Sequence, residues 1–226
     1  MSNVIDNNAA AERDAAFRAE RRSGMLAIGV AMPVALVLWL AISFLPPPLA
    51  GMETFDERML FALKCFCFAV LFCLVMGLEA VAHERLVSRA FDPLAGFETR
   101  RLRVNQRYLQ NTLEQMVVFA AALFGLAAYS TGGAQMRMVL ATAVVWICSR
   151  FAFWIGYHRS AAMRGLGAPG MALGMLVLLY VTCRIGYDVA GVFGAAAVIV
   201  LFVAIEAFLF RATRRGGDDS SSHRRT

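Results

Sequence analysis

Six long apolar stretches run through this chain of 226 residues and leave it few possible folds. Hydrophobic residues make up 59% of the sequence, and the mean hydropathy of +0.61 is higher than soluble domains usually reach. Apolar stretches of about 20 residues match the thickness of a bilayer when they are helical. The sequence therefore predicts an all-α fold, a polytopic transmembrane helix bundle with about six membrane helices. The six stretches are residues 25–45, 59–81, 108–129, 136–157, 169–183 and 189–210.

Basic residues are distributed unevenly between the two ends of these stretches. The net charge is +6, and Lys64 is the one lysine among 22 basic residues. Arginines crowd the N-terminal segment, the loops at 83–107 and 158–168, and the C-terminal tail, whereas the alternate loops at 46–58, 130–137 and 184–188 carry few. The positive-inside rule then places both termini in the cytoplasm of a multi-pass protein of the inner or plasma membrane. Contact with the lipid bilayer explains most of these arginines, and no soluble module is present to bind nucleic acid.

The cysteines and histidines indicate neither a disulfide framework nor a metal site. All five cysteines lie inside or at the end of apolar stretches, where we expect them to pack as small hydrophobic side chains. The three histidines are isolated from one another in sequence. No spacing typical of zinc ligands occurs, so no metal is expected.

A first polar stripe interrupts the third apolar stretch. The segment 98–119 is predicted to begin as an arginine-rich loop and to continue as an apolar helix. Arg103, Arg107, Asn111 and Glu114 are spaced 4, 4 and 3 residues apart, which places them on one face of that helix. Ionisable groups at such a depth often mark a ligand site. The alternative is a polar contact that only holds the bundle together.

A second polar stripe ends the fourth apolar stretch. Arg150, Tyr157 and Arg164 are seven residues apart and share a face if the helix continues through Ser160. Arg150 lies two turns inside the helix, so it needs a partner such as Glu114 or a bound anion. The alternative is a belt of aromatic and arginine side chains at the membrane interface.

The two stripes reach the same side of the membrane on antiparallel neighbouring helices. Together they present guanidinium groups, a carboxylate, an amide and a phenol to one cleft. The complementary ligand is a small zwitterion with more than one carboxylate and an ammonium group, and glutathione has these groups. An arginine beside the glutathione sulfur would favour the thiolate, which could attack a lipophilic small-molecule substrate arriving from the bilayer.

The segment RYLQNTLEQMVVF resembles the Arg-x-x-x-Asn-x-x-Glu signature of the MAPEG family, the membrane-associated proteins in eicosanoid and glutathione metabolism. SRFAFWIGYHRSAAMR is similar to the end of the third core helix in that family, especially in its leukotriene C4 synthase branch. The resemblance covers about residues 59–185. It implies a homotrimer of four-helix protomers with glutathione, the co-substrate, bound between subunits near the cytosolic face.

The resemblance also implies a role for each matching residue. Arg107, Asn111, Glu114 and Tyr157 would contact glutathione, Arg150 would support the site, and Arg164 would be the catalytic arginine that activates the thiol. An arginine at the end of the first core helix would take part as well, and Arg85 and Arg89 remain alternatives for it.

Three positions depart from the leukotriene C4 synthase pattern. Leu109 replaces a glutamine of that branch, and Gln115 and Phe153 replace tyrosines. The chain therefore lacks two phenols and one amide that would hold glutathione there. These losses favour a second interpretation, in which the protein binds a lipid or a partner in the same cleft without catalysis.

The sequence as a whole predicts five segments. The leading functional prediction is a glutathione-dependent transferase or peroxidase acting on lipophilic electrophiles. The non-catalytic protein is the alternative, and a purely structural network of the two stripes is a third. The predicted segments are a cytoplasmic polar segment (1–23), an added N-terminal helix and loop (24–58), a MAPEG-like four-helix core (59–185), an added C-terminal helix (186–211) and a disordered tail (212–226).

Overall fold

A computed structural model of the chain describes residues 2–222, and their side chains from residue 12 to residue 213. Every regular element within these residues is helical. Five helical spans there are long and apolar enough to cross a membrane, which confirms the predicted all-α membrane bundle. The helices are α1 (Ser2–Phe44), α2 (Phe55–Ala69), α3 (Met76–Val87), α4 (Arg100–Tyr129), α5 (Gly133–Arg159) and α6 (Ala168–Ser222), with a π-helical turn at Val70–Val75 that joins α2 to α3 and short 3-10 helices at Arg89–Phe91 and Ala162–Gly167.

Side-chain caps decide where two of the helices begin. The Thr54 hydroxyl accepts a hydrogen bond from the Glu57 amide while the Glu57 carboxylate accepts one from the Thr54 amide, a capping box that starts α2. The Thr99 hydroxyl accepts from the Leu102 amide at 3.0 Å, so α4 begins at Arg100. The prediction that the segment from residue 98 begins as an arginine-rich loop was therefore wrong. The arginines lie on the first turns of the same helix that carries the polar stripe.

The antiparallel helices α4 and α5 form the centre of the unit Met1–Leu178. The rings of Phe119 and Trp146 stack across them with centroids 4.4 Å apart, and both side chains are fully buried. The α2–α3 span and α1 pack around this pair. Because lipid is as apolar as the side chains, close packing between helices stabilises such a bundle more than burial from water does.

The π-helical turn at Val70–Val75 has a direct packing partner. Such a turn frees a backbone carbonyl from the normal helical pattern. The Tyr108 hydroxyl of α4 donates a hydrogen bond to the Cys73 carbonyl at 2.9 Å. The Tyr108 ring lies so close to Gly77 that a Cβ there would be 2.7 Å from its Cε1 atom. The π-helical turn and Gly77 together allow the Tyr108 side chain to pack in the core.

The second unit, Leu179–Thr226, contains the part of α6 from Leu179 to Ser222. Ala190 and Gly191 have non-helical backbone angles, and Gly191 has a φ of 60°, which suits glycine. A Cβ on Gly186 would lie 2.8 Å from the Gly194 carbonyl oxygen, although eight residues of straight helix span about 12 Å. The chain therefore reverses at Ala190 and Gly191. The loop predicted at 184–188 therefore lies later in the chain, and its predicted position was wrong.

The terminal predictions have different outcomes. The polar residues before position 24 continue directly into the membrane span as part of α1. Of the tail expected to be disordered, residues 214–226 lie outside the described side chains and 223–226 outside the described backbone. The cytoplasmic location of both termini stays a prediction.

Candidate functional site

A cleft of about 530 Å³ opens at the end of the bundle where α4 begins and α5 ends. Its volume is in the range of small-molecule sites. Side chains from α4, α5, the 3-10 helix Ala162–Gly167 and the start of α6 line it. Five predicted site residues are among them: Arg107, Asn111, Glu114, Tyr157 and Arg164. The two polar stripes thus meet in a single protomer.

The α4 wall of the cleft is a chain of hydrogen-bonded side chains. Arg107 donates to the Gln110 side-chain oxygen at 3.2 Å, and the Gln110 amide donates to Glu114 at 3.1 Å. Arg107 and Glu114 are exposed and form no ion pair within the described residues. Arg103 lies on the same stripe but does not line the cleft. This wall therefore carries one cation, Arg107, and one anion, Glu114, and the Gln110 amide lies between them.

Arg150 lies directly beneath the cleft and is fully buried. One of its terminal nitrogens donates to Asn111 at 3.1 Å and to Gln115 at 2.9 Å, and the other donates to Thr112 at 3.1 Å. Glu114, one of the two partners predicted for Arg150, is not among these contacts, and the other, a bound anion, stays a prediction. Glu114 lies on the exposed side of α4, whereas Asn111 and Gln115 face α5. The buried positive charge of Arg150 is therefore stabilised by hydrogen bonds to three neutral side-chain oxygens.

Two of the three positions that depart from the family pattern also serve Arg150. Gln115 accepts one of the hydrogen bonds described above. Phe153 lies under the guanidinium, with 4.6 Å from the ring centroid to the central carbon, a distance that permits a cation–π contact. Both side chains also line the cleft. Both positions therefore give the cleft floor a side chain that contacts the buried arginine.

Arg164 reaches the cleft by a different route from the one predicted. Helix α5 ends at Arg159 and Ser160 is extended, so the expected continuous helix through Ser160 does not exist. The chain then turns back as the 3-10 helix Ala162–Gly167, which carries Arg164. This segment packs closely on α5, because a Cβ on Gly156 would lie 2.3 Å from the Met163 carbonyl oxygen. Arg164 and Tyr157 share the cleft although they do not share a helix.

A second buried polar group, which the sequence patterns did not predict, lies on α4 two residues before the cleft-lining Arg107 and on another face of the helix. Asn105 is 2% exposed, and its side-chain oxygen accepts from Trp154 at 3.0 Å and from His158 at 2.9 Å. Its amide donates to the Ala80 carbonyl of α3 at 3.4 Å. Asn105 lies six residues before Asn111, a spacing that does not fit the stripe, so the sequence pattern does not indicate its contacts.

The charges around the cleft favour an anionic ligand that also carries one cation. Arg107, Arg150 and Arg164 contribute three positive charges, and Glu114 contributes one negative charge. The Nε atom of Arg150 is buried without a hydrogen-bond partner. Within residues 12–213 no three His, Cys, Asp or Glu side chains lie close enough together to hold a metal ion.

The two arginines considered for the first core helix do not line the cleft of a single protomer. Arg85 is half-buried in the last turn of α3, and Arg89 is exposed in the short 3-10 helix that follows. Neither is among the lining residues. A role for either one would therefore need a neighbouring copy of the chain.

Comparisons with known proteins give one family and two relatives. The family model described as "MAPEG family" matches residues 60–187. Transmembrane protein 79 of Bos taurus is 25% identical over 143 residues, which cover 63% of this chain and 35% of that protein. Transmembrane protein 79 of Mus musculus is likewise 25% identical over 143 residues, covering 63% and 36%. The chain spans about a third of the length of these curated relatives. No solved structure matches the chain.

Proposed function

Since the chain belongs to the MAPEG family, whose model covers more than half of it, we propose that this membrane protein binds glutathione in the α4–α5 cleft and transfers it to lipophilic electrophiles. The observation that carries the proposal is that two guanidiniums, a carboxylate, three side-chain amides and a phenol surround one cleft of about 530 Å³. Glutathione offers two carboxylates, an ammonium and two amides to such a set. A homotrimer, which the family resemblance implies, belongs to the same proposal.

Each proposed role follows from the chemistry of the side chain. Arg107 binds a glutathione carboxylate, because its fork of donors matches that group. Glu114 binds the ammonium group, and Asn111 bonds a backbone amide while its oxygen also accepts from Arg150. Tyr157 orients the bound peptide. Arg150 supports the site from below and keeps the Asn111 side chain in place.

Arg164 is the proposed catalytic residue, by the resemblance to the leukotriene C4 synthase branch. Its exposed guanidinium lines the cleft, where it would stabilise the thiolate over the thiol. With a chlorinated aromatic substrate, the sulfur would form a bond to the ring carbon and chloride would leave with the bonding electrons. The thiol proton would pass to solvent.

Glutathione binding is tested by titration calorimetry on the detergent-solubilised protein. We expect Arg107→Gln to weaken glutathione binding about 10- to 100-fold, as expected for loss of a charged hydrogen-bonding partner of about 1.5–3 kcal/mol. Arg103→Gln is the matched control, because Arg103 lies one turn away on the same stripe and outside the cleft. Absence of binding to the wild-type protein at millimolar glutathione would remove the proposed function.

Transfer is tested with the Arg164→Ala variant and a chlorinated dinitroaromatic substrate. The rate should collapse while glutathione still binds and the protein keeps its elution volume. Glutathione sulfonate, which carries a permanent negative charge at sulfur, should bind more tightly than glutathione to the wild-type protein and lose that advantage in Arg164→Ala. Arg159→Ala is the matched control, since Arg159 is exposed and outside the cleft. Equal activity of the two variants would refute the role of Arg164.

A second candidate function is binding of a lipid or a partner in the same cleft without chemistry. The commitment of Gln115 and Phe153 to Arg150 favours it, because neither position offers a phenol to a ligand. Under this function the wild-type protein would show no transfer with any electrophile, whether or not glutathione binds. A measurable transfer rate that disappears in Arg164→Ala would exclude it.

A further inference from the structure

Helix α1 precedes the part of the chain that matches the family model, and it packs against the segment that carries Arg164. It contacts two elements of the bundle, α5 and the 3-10 helix Ala162–Gly167. On α5 the Trp39 indole donates a hydrogen bond to the Thr142 hydroxyl at 3.1 Å, and Thr142 is fully buried. This bond anchors the end of α1 that is remote from the cleft.

The other end of α1 lies directly against the segment that carries Arg164. A Cβ on Gly165 would lie 2.9 Å from the Gly24 carbonyl oxygen and 3.0 Å from the Ile28 side chain. A Cβ on Gly24 would in turn lie 3.5 Å from the Ala162 carbonyl oxygen. The backbones of the two elements therefore meet at Gly24, and the Ile28 side chain, one turn further along α1, also lies against Gly165.

The opposite side of the same segment is held by α5. A Cβ on Gly167 would lie 2.4 Å from the Phe153 Cβ atom, and the Gly156 backbone abuts the Met163 carbonyl. The six residues Ala162–Gly167 are thus clamped between α1 and α5. A 3-10 helix of this length is unusual without support, because its hydrogen-bond geometry is poor. Removal of either wall should loosen it.

We propose that α1 is a positioning element for Arg164, which holds the 3-10 segment against α5 so that the guanidinium points into the cleft. The catalytic part of this inference rests on the function proposed above, whereas the positioning itself does not. Arg164 is next to Gly165, so a shift of the Gly24–Gly165 contact moves the Arg164 backbone directly. A misplacement of about 1 Å can cost about 100-fold in rate when it affects a reacting geometry.

The test uses two full-length variants that differ only in where leucine is added on α1. Gly24→Leu puts a side chain against Ala162. Gly29→Leu is the matched control, because Gly29 is exposed on the same helix and a Cβ there has nothing within 4 Å. Both changes raise helix propensity equally, so any difference between them comes from the contact with the segment.

The first readout is independent of glutathione. A spin label is attached at Arg164→Cys, in a background where the cysteines that are not buried (Cys67, Cys148 and Cys183) are replaced by alanine. We expect its electron paramagnetic resonance spectrum to show a more mobile label in Gly24→Leu than in Gly29→Leu, at equal elution volume. Identical spectra for the two variants would overturn the positioning role.

The second readout keeps Arg164 and measures transfer kinetics. Gly24→Leu should lower kcat about 10- to 100-fold and change KM for glutathione less than threefold, while Gly29→Leu leaves both unchanged. A purely structural role of α1 would instead change kcat and KM together with thermal stability. If the wild-type protein shows no transfer but the label is mobilised, the proposed function fails and the positioning role stands.

Discussion

Replacement of Asn105 by leucine tests whether the buried hydrogen bonds of Asn105 stabilise the fold without taking part in ligand binding in the cleft. Leucine has the same branched set of four side-chain heavy atoms as asparagine but no oxygen, so Trp154 and His158 lose the acceptor they share. A buried donor without a partner costs about 1–3 kcal/mol. His158 is half-buried and can turn toward water, so we expect a total of about 2–4 kcal/mol, in the lower part of the range for two donors.

The assay is thermal unfolding of the detergent-solubilised protein, followed by intrinsic tryptophan fluorescence. For a chain of this size about 1 kcal/mol shifts Tm by about 2–4 °C, so Asn105→Leu should lower Tm by about 5–15 °C. Gln106→Leu is the matched control, because the neighbouring Gln106 is only half-buried and donates to the exposed Glu98 side chain. It should shift Tm by less than about 2 °C, as surface changes do.

Ligand binding provides the second half of this experiment. Asn105 does not line the cleft, so glutathione affinity of the Asn105→Leu variant should stay within threefold of the wild type well below its Tm. An unchanged Tm would refute the assignment of Asn105 as a structural group. If the folded Asn105→Leu variant no longer bound glutathione, the conclusion that Asn105 is independent of the cleft would be refuted.

The remaining predictions concern the cleft wall and the core. Glu114→Gln should leave Tm unchanged within about 2 °C, because Glu114 is exposed and bonded only to Gln110 within the described residues. Calorimetry should show glutathione affinity reduced about 10- to 100-fold by loss of a charged partner. Dissociation of the proposed trimer without loss of affinity would support the purely structural interpretation instead. Gly77→Ala should destabilise the bundle by about 1–3 kcal/mol in thermal unfolding, because the new methyl group would displace the Tyr108 ring. Gly174→Ala is its control, since the nearest atom to a Cβ there is 4.0 Å away, and equal Tm values for the two variants would contradict the prediction.

The features that the sequence predicted correctly depend on spacing along the chain. Helical membrane spans follow from the length of apolar stretches, and the common cleft wall of Arg107, Asn111 and Glu114 follows from their helical spacing, whereas Arg103 of the same stripe lies outside the cleft. These properties are local, so no knowledge of the neighbouring helices is needed. The family motif around Asn111 is of the same kind, and the family comparison agrees with it.

The features that the sequence did not predict depend on which groups meet across helices. The buried Arg150 donates its hydrogen bonds to the side-chain oxygens of Asn111, Gln115 and Thr112, which the packing of α4 on α5 brings close, and not to a carboxylate. Pattern and spacing cannot choose among such partners, because all of them lie within reach of a long side chain.

The position of Arg164 likewise depends on tertiary packing. Its spacing from Tyr157 suggested one continuous helix, whereas the chain leaves that helix at Ser160 and returns as a 3-10 segment. Sequence alone determined that this chain is a membrane helix bundle with a polar stripe on α4. Only the tertiary structure decided how Arg164 reaches the cleft, because its 3-10 segment packs by backbone contacts with α1 and α5, which have no side-chain signature beyond glycine.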